Sequence, residues 1–300
     1  MVVPLSIAHH QACGEWVAIG GSIFFASLKT RPELLLLRDQ VDARLVGPGD
    51  YDQVDRAQRA AAQELGLTQF ASDELGWGDL DLYTRVGHIW EYPYKFRSVD
   101  AGVWFGALFP TGKRREINAP YSLPFAGDGF WGVYGAVDME FEFKEDMTVG
   151  FLLRGQKRFT RTFNTRVPTG TEPINYGAIV GLFEVDPGAS IIFVVSALLE
   201  DIREGLGFGL SYQLVKKFAD TYTDRRINPT APANLIGLMN LSSWLDEHIT
   251  VKMFYDFSKQ TETQHHAPTL YLRWDFPIKG LGARRVAETN RIVFGLDIPY

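Results

Sequence analysis

Residues 130–154 read FWGVYGAVDMEFEFKEDMTVGFLLR. Every second position from Trp131 is apolar or glycine, through Val133, Gly135, Val137, Met139, Phe141 and Phe143. The positions between hold Gly132, Tyr134, Ala136, Asp138, Glu140, Glu142 and Lys144, so one face is apolar and the other acidic. Successive Cβ atoms of a strand point to opposite faces, and a period of two sustained this long marks a β-strand between two unlike environments. At about 3.3 Å per residue it spans roughly 40 Å, well beyond the usual strand. After a short turn at Lys144, Glu145 and Asp146, the alternation resumes with Val149, Phe151 and Leu153 against Thr148, Gly150 and Arg154. The stretch predicts a long amphipathic hairpin whose second strand runs to about Phe163, with Arg154 and Arg158 on its polar side.

The same design recurs in both directions. Upstream, residues 15–29 read as a strand with a shorter one over 2–10 before it. Leu80, Leu82, Thr84, Val86, His88 and Trp90 then alternate with Asp79, Asp81, Tyr83 and Arg85. Val99, Ala101, Val103, Phe105 and Phe109 alternate with Asp100, Gly102 and Trp104. Downstream, strands are predicted over 177–185, 190–199 and 206–214. Three more carry Lys252 and Asp256, Arg273 and Asp275, and Arg291 and Asp297 on their polar sides. Two segments break the pattern. Residues 30–77 hold a capped helix over about 51–65, and 223–246 hold Pro229, Pro232 and a helix around 235–245. The first is a candidate plug or lid, or a surface decoration. Residues 1–300 read as one domain bearing these two insertions.

Composition narrows the class. A net charge of −6 and a pI near 5.6 argue against a nucleic-acid partner, which needs a concentrated basic surface. The single cysteine, Cys13, cannot close an intrachain disulfide or supply a thiolate cluster. The longest apolar run, 188–199, stops at Glu200, too short for a membrane helix. Membrane β-strands escape that test because only alternate residues face lipid, and a mean hydropathy of −0.08 fits them. The opening MVVPLSIAHH lacks a basic start and a cleavage pattern, so it is no recognisable secretory signal.

Three features favour a membrane barrel over a soluble sandwich. The strands reach or exceed the roughly 9 to 11 tilted residues that cross a bilayer. Aromatics such as Trp90, Tyr92, Phe109, Phe130, Trp131, Tyr212, Tyr255, Trp274 and Tyr300 fall near strand ends, where interfacial girdles belong. Charge on the second face of nearly every strand suits a wet lumen and would be costly in a packed interior. In hydrocarbon an unpaired strand edge leaves backbone groups without partners, so such a sheet closes on itself. The expectation is an all-β fold: a closed antiparallel transmembrane β-barrel of about 12 strands (10–14) with one or two helical loop insertions. Loop lengths do not sort cleanly onto two sides, because 223–246 falls opposite the other long segments unless a strand between 163 and 222 is miscounted.

The ending Gly295-Leu296-Asp297-Ile298-Pro299-Tyr300 resembles the closing signature of Gram-negative outer-membrane β-barrel proteins, porin-like or similar to hydrophobic-compound transporters. In that family a last strand with alternating apolar residues ends in an aromatic and is recognised by the barrel-assembly machinery. Gly295, Ile298 and Tyr300 match this pattern, and Pro299 departs from it. The resemblance implies a bacterial outer-membrane location, with outer-membrane lipids and lipopolysaccharide as surroundings.

Chemistry is sparse. The lumen-lining candidates are Asp79, Asp81, Arg85, Asp138, Glu140, Glu142, Arg154, Arg158, Lys252, Asp256, Arg273, Asp275, Arg291 and Asp297. Fixed charges of both signs there would set a field that filters small solutes. His265-His266 lack a supporting carboxylate or cysteine at ligand spacing, and GxSxG, HExxH and phosphate-loop patterns are missing from the sequence. No cofactor, metal or catalytic residue is predicted. The basic doublets Arg114-Arg115, Arg225-Arg226 and Arg284-Arg285 fall in loops, where external ones could meet lipopolysaccharide phosphates. The function expected is a non-enzymatic channel or transporter for small solutes, hydrophobic ones included. Its rivals are a barrel-embedded lipid-modifying enzyme, for which Ser196, Ser211 and His248 are available, and a soluble lipid-binding β protein.

Overall fold

A computed structural model describes residues 2–30, 48–67, 72–92, 96–119, 121–143, 146–170, 172, 176–257, 268–284 and 290–297. Its main element is a 12-stranded antiparallel sheet. In spatial order this wall runs β1 (Val2–Ala12), β2 (Val17–Thr30), β4 (Leu80–Glu91), β5 (Phe96–Phe109), β6 (Gly132–Phe143) and β7 (Met147–Arg158). It continues through β10 (Ser190–Arg203), β11 (Leu206–Lys217), β13 (Trp244–Asp256), β14 (Thr269–Pro277) and β15 (Arg291–Asp297). β3 (Ser72–Trp77) lies end to end with β4 against β2, since Phe25 pairs with Trp77 while Ser22 pairs with Asp81. The extra residue is a bulge at Gly78-Asp79. Every neighbour pair on the path is antiparallel, so the edge strands β1 and β15 run in the same direction. Among the described residues no pairing joins them.

Register sorts the side chains into two faces. Arg85, Trp104, Ala136, Arg154 and Ile192 follow one another across five strands on one face. On the other, Val137 pairs with Val103 and Leu153, and Leu153 with Phe193. The charged face is concave. A flat sheet would hold β4 and β7 about 14 Å apart, yet Arg154 on β7 approaches Asp81 on β4 to 3.8 Å. Through the middle of the wall the convex face is apolar and uncovered: Phe105 is 62% exposed, Leu153 53% and Phe294 77%. Aromatic contacts mark both rims of this outer face, Phe109 with Trp131 and Trp274 with Phe276 at one, Trp16 with His88 and Trp90 and Phe96 with Phe143 at the other.

A separate three-stranded sheet, β8 (Arg161–Val167), β9 (Ile179–Asp186) and β12 (Thr221–Asp224), stands at one rim. Here lies a dry cluster, in which Val167, Ile179 and Phe183 pack on Leu238 of α2 (Leu235–Ser242). Asn234 caps α2 by accepting the Gly237 N–H. The second helix, α1 (Pro48–Glu64), is bound to this rim through Arg166, which donates to the carbonyls of Leu65, Ile117 and Gly177 and to Asn118.

Several expectations need correction. β7 stops at Arg158, and the residues to Phe163 and beyond belong to β8, outside the wall. β7 pairs directly with β10, so β8 and β9 are an excursion and 223–246 joins the other long segments. Four of the five connections at one rim are short, 13–16, 92–95, 144–146 and 204–205, the fifth being 257–268, and those at the other are long. The 204–205 turn has positive φ at Glu204 and Gly205, the backbone that a two-residue hairpin twisting with its strands requires. The segment expected as one insertion over 30–77 ends in strand β3, whose Asp73 and Glu74 hid its alternation. Tyr212 sits mid-strand on β11, and Phe130 is buried against Phe163 at the mouth, so neither belongs to a girdle. Ile298, Tyr300 and His265-His266 lie outside the described residues.

Candidate functional site

The concave face holds ion pairs that bridge strands. At mid-height Arg85 donates to Asp100 at 2.6 Å and to Asp138 at 2.7 Å, and the Trp104 indole N–H also donates to Asp138. One level toward the long-loop rim, Asp81 accepts the Tyr134 hydroxyl at 2.9 Å and faces Arg154, whose guanidinium lies 3.5 Å from the Tyr134 ring centre. Toward the short-turn rim, Glu142 accepts from Ser98 at 2.8 Å and pairs with Arg97 at 3.3 Å. Glu140, between Asp138 and Glu142, has no ion pair among the described residues.

Across the wall Asp275 is buried and accepts from Thr250, Arg273 and Arg291 at 2.6, 2.6 and 2.7 Å. With Gln213, Asp246 and His248 these groups line a polar cavity of about 270 Å³. Lys252 lies over Phe254 and Tyr271. Asp256 and Asp297 end their strands on this same face, flanking Thr269 in register, and Gly295 pairs with Tyr271. Between the charged posts the face carries Leu152, Ile192, Val194 and Val215, an apolar strip.

Asp79 is the exception among the candidates. It is buried in the bulge, accepts the N–H groups of Gly112 and Gly127 and pairs with Arg158 at 2.9 Å. Arg158 also donates to the Phe130 carbonyl. These bonds fold 110–131 inward over the concave face. Gly127 passes so close that a Cβ would stand 1.5 Å from the Arg158 guanidinium, and Gly76 makes room for Phe125. The loop's outer side is tied by the Tyr121 and Tyr176 hydroxyls, 2.6 Å apart, where burial and this hydrogen bond push Tyr121 up to about 12.

Between that loop and the three-stranded sheet lies a second cavity, of about 530 Å³, lined by Arg114, Arg115, Arg161, Phe130, Phe163 and Val185 among others. Of the three basic doublets, Arg225 and Arg226 are neutralised by Glu184 and Asp224. Arg284 exchanges backbone hydrogen bonds with Leu245, and Arg285 lies outside the described residues. Arg114 and Arg115 have no ion pair among the described residues.

Asp100, Trp104, Tyr134 and Thr250 were missed as site residues, although strand parity already put Asp100, Trp104 and Tyr134 on the charged face. Ser196 and Ser211 are cross-strand partners, and His248 contacts Asp246 at 3.2 Å. Neither serine is hydrogen-bonded to His248 among the described residues. No group of three or more potential metal ligands occurs among them, and no helix is long and apolar enough to cross a membrane.

No family model matches the chain, and no curated protein matches its sequence. Among solved structures, the COG4313 outer membrane channel from Pseudomonas putida F1 aligns with 99% of this chain and 81% of its own, at 11% identity and a TM-score of 0.53. At that identity the likeness is one of fold alone, an antiparallel β wall of the kind that channel has.

Proposed function

We propose that the wall closes into an outer-membrane barrel that passes small solutes, and that it is not an enzyme. One observation carries the reading: away from the long-loop rim, where Lys157 and the covered Glu247 lie, the convex face is apolar and exposed from β2 to β15, while the concave face is charged. In water the first would be an aggregation surface far above ordinary patch size. Lipid outside and water inside satisfies both faces. Hydrocarbon requires the edge strands to be paired, so closure is part of the proposal, and direct pairing of β1 with β15 would be parallel. Short turns face the periplasm in such barrels and long loops the exterior, which makes the three-stranded sheet and the inward loop 110–131 the outer mouth. The strip Leu152, Ile192, Val194 and Val215 beside the Arg85 and Asp275 networks suits solutes with an apolar part. Outer-membrane lipids, lipopolysaccharide and the barrel-assembly machinery are the partners this location implies.

Reconstitution into planar bilayers tests the reading. Folded protein should show heat-modifiable gel mobility and discrete conductance steps. A detergent-free monodisperse monomer, or folded protein that conducts nothing, overturns it.

A further inference from the structure

We propose that the outer-mouth cavity is a binding site for small organic anions, with a carboxylate head held by Arg114 and Arg161 and an apolar tail on Phe130, Phe163 and Val185. Six cationic side chains line it, Arg114, Arg115, Arg158, Arg161, Arg166 and Lys217, against three carboxylates. Those carboxylates are committed: Glu116 pairs with Lys113, Asp220 with Lys217, and Asp128 accepts the Arg115 backbone N–H. Arg158 is answered by Asp79. Arg114, Arg115, Arg161 and Arg166 have no ion pair among the described residues, in a chain of net charge −6.

The guanidinium groups also converge. Seen from the Cβ position of Gly129, Arg114 Nε is at 2.4 Å and Arg161 Nη1 at 2.6 Å, so the two positive groups meet over one backbone point. Arg161 spends one N–H on the Gly129 carbonyl and lies over Phe163, while the Arg114 side chain has no hydrogen bond among the described residues. Like charges this close repel each other, and a shared anion converts the repulsion into charge-assisted hydrogen bonds. Phe130 and Phe163, edge to face at 5.5 Å, form an apolar floor that an inorganic ion would leave unused. A recess of this volume takes a small molecule.

The site deepens the channel reading by naming a solute class at the mouth, but binding and conduction are separable. Isothermal titration of the folded protein in micelles with hexanoate, its neutral counterpart hexanol and inorganic phosphate tests the site, while conductance without hexanoate tests the channel. Hexanoate should bind, and hexanol and phosphate should bind roughly ten- to a hundredfold more weakly, the value of charged hydrogen bonds and of the apolar floor. The double variant Arg114→Gln, Arg115→Gln alters two exposed side chains that make no hydrogen bond among the described residues, so the folded gel band should persist. Its hexanoate affinity should fall by the same factor, and raised salt should weaken the wild type. Hexanol or phosphate binding as tightly as hexanoate, or a folded double variant that keeps wild-type affinity, overturns the proposal.

Discussion

Placing one charge on each face of the wall at the same height separates a membrane barrel from a soluble β protein. Val137 lies in the middle of β6, points outward and is 48% exposed. Its level continues through Leu153 to Phe193, and the next residue, Val194, points inward. Val137→Arg and Val194→Arg are therefore the same chemical change at the same depth on opposite faces. With lipid outside, the guanidinium at Val137 meets hydrocarbon near the midplane, at a cost of about 2–4 kcal/mol. At Val194 it meets Gln213 in register and the polar groups beyond, and the cost should stay below about 1 kcal/mol. Reversible denaturant unfolding in lipid vesicles reads the difference as a midpoint shift at constant slope. Equal losses, or a larger loss at Val194, would mean a dry inner face, and the membrane reading would fail.

Asp79→Ala removes the ion-pair partner of half-buried Arg158 and the acceptor of two loop N–H groups, which should cost about 1–3 kcal/mol locally, free residues 112–128 to protease and raise single-channel conductance. Glu172 accepts from Thr169 and Gly170 and is held at about 2 against an ordinary 4.5. Its contribution is complete above the ordinary value and lost as pH falls through the folded one, so amide exchange at 169–170 should accelerate between those limits in the wild type and be flat there in Glu172→Gln. Glu247 is fully buried and accepts the Leu281 N–H and the Tyr212 hydroxyl. Glu247→Ala should loosen 278–282 by about 1–3 kcal/mol in hydrogen exchange, and Glu247→Gln, which keeps an acceptor, by less.

Parity is local, and the sequence by itself determined it. The alternation around Val137 and Asp138 settles which side chains share a face whatever the strands pair with, so the strand class, the apolar outer face and the charged inner one were legible from residues 130–154 outward. The α1 and α2 helices were legible for the same reason, through Asp50 and the run from Leu235. Neighbours are a long-range property. Only tertiary structure decided that β7 pairs with β10, because nothing near Arg158 distinguishes a continuing strand from one that leaves the wall. Asp79 has the same parity as Asp81, yet the bulge turns it from a lumen charge into the anchor of an inward loop. Arg114 and Arg161 are far apart in the chain and meet only through the backbone of Gly129. Charges paired across strands and loops depend on curvature and register, which the sheet acquires as a whole and no short window of sequence contains.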